Sequence, residues 1–351
     1  MAVEWITFHV TDRCQLDCQH CLRDPELKPK DLSLDVIRRA LVEGKRVYRA
    51  THTAFTGGEP TLHPEFNAIV DVAVELGYTW HMVSNGHNIP WLFEQFKEKP
   101  SRRAAMTSVT LSLDGADEAT HDAIRGKGSF LSVMTAINQC TARGLPFVLQ
   151  CAVHAKNQHQ VEALGLLASQ LGATRLSFSM TQPTGTYLDK ELYLTAAEWR
   201  AVMDRVLRLG DTLRLPVTHP EGYFHAQPIY TCQAFAQQQL HINVEGELTL
   251  CCQHAGVPQE PGSRSDRSGS LASEPLVSAH RKLLTVIHDA QARKLDRAAA
   301  GELDAEWDLF PCNYCLADFG KPHWTEDGVG GPGASRDRWR GAWKKSLPIA
   351  R

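Results

Sequence analysis

The chain has 351 residues, 43% of them apolar and 22% charged, enough to bury one large core or two ordinary ones. Its net charge is −3, and its lysines and arginines are scattered rather than grouped, which gives no electrostatic footprint for a nucleic-acid partner. The start, Met1-Ala2-Val3-Glu4-Trp5, lacks the basic and apolar regions of a signal peptide, and no apolar run is long enough to cross a bilayer. A cytoplasmic protein with no membrane partner is the expectation.

Short apolar runs read as strands at Trp5–Val10, Thr53–Thr56, Trp80–Val83, Ser108–Leu113, Phe147–Val153 and Arg175–Ser179. Helical patterns lie between them. One is capped by Ser33, places Val36, Ile37, Ala40 and Leu41 on one face, and stops before Gly44. Others run from Pro64 to Gly77, from Phe130 to Arg143, from Val161 to Leu171 and from Thr195 to Leu209. Strand–helix alternation of this kind argues an α/β fold, a parallel sheet covered by helices, open or curled into a barrel. After Pro220 the pattern changes. Leu240–Val244 and Leu248–Cys251 flank Glu245-Gly246-Glu247, a hairpin in which the glycine supplies a positive φ. Pro258–Ser273 reads as a mobile polar loop, Leu283–Arg297 as a helix, and Asp327–Arg336 as a poorly ordered Gly-rich tail.

The ten cysteines carry the chemistry. In a chain without an export signal, clustered cysteines indicate metal binding rather than disulfides. Cys14, Cys18 and Cys21 follow the first strand in the spacing C-x3-C-x2-C. Three thiolates can hold three irons of a four-iron cluster and leave the fourth iron open for chemistry. A structural zinc site is the alternative, with His20 as fourth ligand, although its place between Cys18 and Cys21 strains a tetrahedral closure. Cys140 and Cys151 read as core residues, with Cys151 a hydrogen-atom donor candidate if it points into the barrel. His154 reads as structural, or as a residue lining the substrate site.

The trio is followed by Gly57-Gly58-Glu59-Pro60, Ser84-Asn85-Gly86, Ser112-Leu113-Asp114-Gly115 and His121-Asp122-Ala123-Ile124-Arg125-Gly126, the first three at strand ends. In this order the segments resemble the radical S-adenosylmethionine (radical SAM) superfamily, whose signature is C-x3-C-x-φ-C with φ usually aromatic; His20 fills that place here. The resemblance runs to about Gly185 and implies a partial (β/α)6 TIM-type barrel. It implies a [4Fe-4S] cluster on Cys14, Cys18 and Cys21. It also implies S-adenosylmethionine held by Gly57, Gly58 and Glu59 at its ammonium, by Ser84 and Asn85 near the amino-acid end, by Ser112 and Asp114 at the ribose, and by Arg125 at the carboxylate. The activity implied is reductive cleavage of S-adenosylmethionine to a 5′-deoxyadenosyl radical that takes a hydrogen atom from substrate.

Cys232 is followed by C-x13-G-x4-C spacing to Gly246 and Cys251, and later by Cys312-Asn313-Tyr314-Cys315. By itself this set also suits a zinc ribbon. In context it resembles the twitch form of the C-terminal SPASM extension, which implies a second, auxiliary [4Fe-4S] cluster on Cys232, Cys251, Cys312 and Cys315. The domain expectation is a barrel over residues 1–220, a twitch-like domain over 221–326 and a tail over 327–351. Cys252 is surplus. Neighbours on a strand point to opposite faces, so it reads as a buried small hydrophobe or, more sharply, as a thiol that returns a hydrogen atom to a substrate radical.

The function expected is a radical SAM enzyme modifying a ribosomally made peptide by crosslinking, epimerisation or oxidation, reduced by a flavodoxin- or ferredoxin-type partner. The resemblance also allows a dehydrogenase or epimerase of a small molecule such as an aminocyclitol or nucleotide. The first strand begins almost at the N-terminus, which leaves no room for a leader-binding domain there. A non-catalytic iron–sulfur or zinc-binding protein is the reading from another class, and it leaves the strand-end polar segments without a purpose.

Overall fold

The computed structural model describes residues 3–22, 28–183, 192–219, 222, 224–225, 227, 232–255, 262–325 and 328–330. The first part alternates β1 (Trp5–Thr11), α1 (Leu34–Tyr48), β2 (His52–Gly57), α2 (Phe66–Glu75), β3 (Thr79–Ser84), α3 (Ile89–Glu98), α4 (Pro100–Ala105), β4 (Met106–Ser112), α5 (Glu118–Arg125), α6 (Ser129–Ala142), β5 (Phe147–Val153), α7 (Val161–Gln170), β6 (Arg175–Met180), α8 (Ala196–Thr212) and β7 (Val217–Thr218). Then come α9 (Gln233–Ala236), β8 (Gln239–Ile242), β9 (Glu247–Thr249), α10 (Cys252–Ala255), β10 (Arg267–Ser270), α11 (Leu276–Ala299), α12 (Pro311–Asp318), β11 (His323–Thr325) and β12 (Gly328–Gly330).

Strands β1 to β7 run parallel in chain order. Alternation sorts their side chains. Ile6, Phe8 and Val10 of β1, Val109 and Leu111 of β4, Leu149, Cys151 and Val153 of β5, and Leu176, Phe178 and Met180 of β6 enter one buried cluster with the helices. The intervening positions make the opposite face polar: Thr7 and His9, Thr110 and Ser112, Gln150, Ser177 and Ser179. Cys151 thus faces the helices, which removes it as a donor inside the barrel. Cys140 is in the same core, as expected.

Local signals account for most helices. The Ser33 side chain caps α1 at Asp35 N, and Thr195 with Glu198 forms a capping box on α8. Helix α1 does not stop at Gly44. It continues to Tyr48, because Gly44 faces the sheet: a Cβ there would lie 2.3 Å from Ile6 Cδ1.

The C-terminal part joins the same sheet. Strand β8 pairs parallel with the free edge of β1, Trp5 opposite Gln239 through Phe8 opposite Ile242, and β9 and β10 add antiparallel strands beyond it. The described strands of this sheet number ten. The hairpin turn at Gly246 has φ 78°, as the sequence indicates. Two expectations fail here. Residues 267–270 of the polar loop form β10, whose Arg-Ser-Gly-Ser sequence has no strand preference and is ordered by pairing with β9; residues 258–261 lie outside the described residues. Residues 328–330 of the supposed tail form β12 against β11, and residues 331–351 lie outside the described residues. Among the described residues no helix is long and apolar enough to cross a membrane.

Candidate functional site

The segment carrying Cys14, Cys18 and Cys21 leaves β1 at the carboxyl ends of the parallel strands, where ligands of such sheets collect. Contacts in three places pin it. Gly58 N donates to Thr11 O and Glu59 N to Arg13 O, both at 2.7 Å. Asn85 Nδ2 donates to Cys14 Sγ at 3.6 Å, while Asn85 Oδ1 accepts from Gln15 Nε2 at 3.0 Å. At the end of α5, Gln19 N donates to Ile124 O at 2.9 Å and Gln19 Nε2 to Ala123 O at 2.7 Å. Gln15 and Gln19 were not singled out in the sequence, where nothing distinguishes them from solvated glutamines.

Glycines at 57 and 58 permit a close approach, and what approaches is the chain's own backbone. A Cβ on Gly57 would lie 2.3 Å from Thr11 O, and one on Gly58 2.2 Å from Arg13 O. Gly57 also has φ 141°, a region L side chains avoid. The Glu59 carboxylate is fully buried. It accepts from Thr61 Oγ1 at 2.8 Å, Ser84 Oγ at 3.0 Å and Asn85 N at 2.9 Å. Burial raises its pKa, and these donors oppose the rise. With the side chain bound to internal donors, the main chain of this segment is what remains for a ligand. Ser112 lies half-buried at the end of β4, opposite in face to Leu111.

Asp114 and Arg125 form a pair. Arg125 Nε lies 2.5 Å from Asp114 Oδ2, His20 Nε2 is 3.2 Å from the same oxygen, and Ala152 N donates to Asp114 Oδ1 at 2.8 Å. Asp114 is fully buried. Burial would raise its pKa, but Arg125 and His20 hold it well below the usual carboxylate range. Both oxygens are engaged by protein groups. Arg125 likewise turns toward protein partners: its Nη1 donates to Cys18 Sγ at 3.9 Å. Asp114 N donates to His121 Nδ1 at 3.1 Å, which fixes that ring with a buried, unpartnered Nε2. His154 is fully buried, accepts from Lys156 N at Nδ1 and leaves Nε2 unpartnered. Burial lowers His121 to about 4 and His154 to about 3.

The thiols of the first trio act on one another. Burial pushes Cys18 up to about 12; the Arg125 charge lowers it, and charge on Cys21 and Cys14 would raise it. The C-terminal set converges in the same sense. Cys315, on α12, is raised by burial and by charge on Cys232, Cys312 and Cys251. Cys312 and Cys315 share one face of α12 at i, i+3, and Cys232 precedes α9. Cys312 Sγ is 3.8 Å from Gln253 Oε1, and a Cβ on Gly222 would meet that sulfur at 2.3 Å. Cys252 is exposed at the start of α10 rather than buried on a strand; a hydrogen bond with Cys251 raises Cys251 and lowers Cys252. Among the described residues no three His, Cys, Asp or Glu side chains are arranged to hold a single metal ion.

A family model described as the Radical SAM superfamily matches residues 8–167. The PqqA peptide cyclase of Gluconobacter oxydans is 30% identical over 249 residues, which cover 69% of this chain and 68% of that protein. The chain belongs to the radical SAM superfamily. Mycofactocin maturase MftC of Mycobacterium ulcerans is 30% identical over 237 residues, 66% of this chain and 61% of that relative's length. The chain therefore spans about three fifths of that relative. Among solved structures, Streptococcus suis SuiB bound to precursor peptide SuiA superposes with a TM-score of 0.63 at 14% identity, covering 81% of this chain and 66% of that one, a likeness of fold.

Membership implies S-adenosylmethionine and a [4Fe-4S] cluster. The donor chemistry of the first trio fits such a group. Three thiols share one short loop, and N–H donors from Leu16 and Asn85 point at Cys14 Sγ, at 3.5 and 3.6 Å, with Arg125 at Cys18 Sγ. Such donors stabilise the sulfur charge of a bound cluster.

Proposed function

We propose that the chain is a radical SAM enzyme that modifies a ribosomally made peptide, with the SAM-binding cluster on Cys14, Cys18 and Cys21 and an auxiliary [4Fe-4S] cluster on Cys232, Cys251, Cys312 and Cys315. When bound, the first cluster and S-adenosylmethionine supply a 5′-deoxyadenosyl radical by one-electron reductive cleavage, the electron coming from a flavodoxin- or ferredoxin-type protein. The observation that carries the reading is the fastening of the cysteine loop to the second and third strand ends: Gly58 to Thr11, Glu59 to Arg13 and Asn85 to Cys14.

The residues divide the work. Glu59 braces Ser84 and Asn85 from beneath. Asn85 then orients the Cys14 sulfur, and Gly57 and Gly58 keep the loop close enough for the main chain to meet an amino-acid moiety. The polar inner face, Thr7, Ser112, Gln150 and Ser177 among others, offers hydroxyl and amide groups to a substrate backbone, which is polar along its whole length. Four cysteines satisfy an auxiliary cluster completely, so its role is to carry electrons or shape the pocket. The peptide reading is supported by one relative named a peptide cyclase and another named a maturase.

Anaerobic reconstitution tests it. The expected result is about eight irons per chain, two four-iron clusters, and release of 5′-deoxyadenosine on reduction, abolished by the triple change Cys14→Ala, Cys18→Ala, Cys21→Ala. A protein that never cleaves S-adenosylmethionine, or still does so without the trio, refutes the activity. Failure to change the mass of any short peptide encoded beside this gene refutes the substrate class.

A further inference from the structure

Arg125 lies against the first cysteine trio and touches one of its sulfurs. Besides the carboxylate of S-adenosylmethionine that it is expected to meet, its guanidinium has three protein partners. Nε is held by Asp114 Oδ2 at 2.5 Å, Nη1 points at Cys18 Sγ at 3.9 Å, and Nη2 lies 3.4 Å from His20 Nε2. The side chain is only 12% exposed and that of Asp114 is not exposed at all. Asp114 cannot swing away, because Ala152 N fixes its second oxygen and Asn157 Nδ2 holds its carbonyl at 2.9 Å. A planar, permanently charged fork held in this way presents an N–H at a set angle, which a lysine on a flexible stem does not.

We propose that Arg125, oriented by Asp114, is a positioning residue that donates to Cys18 Sγ and thereby raises the reduction potential of the cluster on the first trio. The inference rests on the reading that Cys14, Cys18 and Cys21 hold that cluster. Reduction adds a negative charge to a cluster whose thiolates are already negative. An N–H donor and a positive charge at one thiolate stabilise the reduced form more than the oxidised one. Asp114 acts in the opposite sense by its charge and in the same sense by its aim. Arg125 touches both the sulfur and Asp114, and no Asp114 atom bonds the sulfur, so the guanidinium dominates there.

The test uses the reconstituted full chain and the EPR signal that changes on adding S-adenosylmethionine, which separates this cluster from the auxiliary one. Arg125→Gln is expected to lower the midpoint potential by at least tenfold in the reduction equilibrium, about 59 mV for one electron. Asp114→Asn, which removes the opposing charge and keeps the shape, is expected to raise it. Arg125→Lys should recover only part of the fall. A merely structural pair would lose iron in all three variants without opposite shifts. Should Arg125→Gln leave Asp114 unpaired and the chain unfolded, the double change Asp114→Asn with Arg125→Gln removes both charges, and a lowered potential is again expected. A loaded cluster with unchanged potential in Arg125→Gln or the double variant overturns the inference. So does a variant whose only defect is at least tenfold weaker binding of S-adenosylmethionine, which returns Arg125 to the carboxylate. If the unmodified protein assembles no signal that responds to S-adenosylmethionine, the functional reading itself is overturned, and this inference with it.

Discussion

Replacing Gly58 by Ala perturbs the site through a single methyl. The added Cβ would stand 2.2 Å from Arg13 O and 2.7 Å from Arg13 C. Both are backbone atoms and cannot rotate aside, and non-bonded heavy atoms rest at roughly 3.5 Å or more. The cysteine loop must therefore move away by about 1 Å, the shortfall against that resting distance. That movement stretches the two 2.7 Å hydrogen bonds, Gly58 N to Thr11 O and Glu59 N to Arg13 O. Overpacking of this kind, with two weakened hydrogen bonds, costs about 2–5 kcal/mol. The control is Gly210→Ala in α8, where the nearest atom to the new Cβ is Val217 Cβ at 3.7 Å. It should be neutral or stabilising by up to about 1 kcal/mol, the helix propensity difference. Urea unfolding of the apoprotein measures both changes, and iron content after reconstitution reports whether the trio still assembles a cluster. Gly58→Ala with unchanged urea midpoint and full iron would show that the loop is not seated on the glycines.

The other expectations are separate in origin. His121 and His154 are held neutral by burial, lowered to about 4 and about 3, whereas an imidazole in the unfolded chain protonates near its ordinary value of 6.5. Between pH 6.5 and about 4 the unfolded state binds more protons, so stability falls as pH falls, by up to about 1.4 kcal/mol per pH unit for each ring. His154→Phe should flatten that slope in urea midpoints taken at pH 7 and pH 5, and an unchanged slope refutes the assignment. Cys312→Ala with Cys315→Ala should halve the iron, leaving about four per chain, while cleavage of S-adenosylmethionine continues; undiminished iron contradicts the auxiliary set. Lys321 and Asp266 form a pair with no exposure, Nζ to Oδ2 at 2.5 Å. Lys321→Met leaves a buried carboxylate unpaired and should cost about 3–5 kcal/mol, most of it recovered when Asp266→Leu is added; thermal melts that rank the double variant below the single one refute this.

What the sequence revealed was whatever is encoded within a few residues. The Ser33 cap, the Thr195–Glu198 box, the Gly246 turn and the alternation of β5 each follow from neighbours in the chain. Gly44 misled because a glycine that ends a helix and one that admits a neighbouring strand look alike in sequence; only Ile6 on β1, packed beneath it, decides. Helices α3 and α4 carried a usable signal, a proline in the first turn of each, Pro90 and Pro100. At the site, the cysteines and strand-end segments were legible because their spacing is local. The partnership of Asp114 with Arg125 and His20 was not, since it depends on the cysteine loop docking against α5. Cys252 was judged from strand alternation, and the chain had already left β9 before reaching it.

The C-terminal part is more than a carrier of cysteines, because it covers the β1 edge and fastens to the segments that follow β6. On one side β8 covers β1, the strand that leads into Cys14, as a parallel neighbour. On the other, Trp324 Nε1 donates to Thr181 O just past β6, Tyr193 Oη donates to Thr325 O at 2.5 Å, and Gln182 reaches Gln253 at 3.5 Å. A chain ended before Cys232 would bare the β1 edge, a row of unpaired backbone groups flanked by Ile6 and Phe8, which invites association with other chains. The Cys312→Ala, Cys315→Ala variant keeps that edge covered. The two therefore separate strand pairing from metal binding as the source of integrity. The truncated chain should aggregate and take up little iron even at the first trio, while the double cysteine variant stays monodisperse in sedimentation and fills that trio. A monomeric truncated chain with a full first cluster would mean that β1 does not depend on β8, and that the C-terminal part is a detachable module.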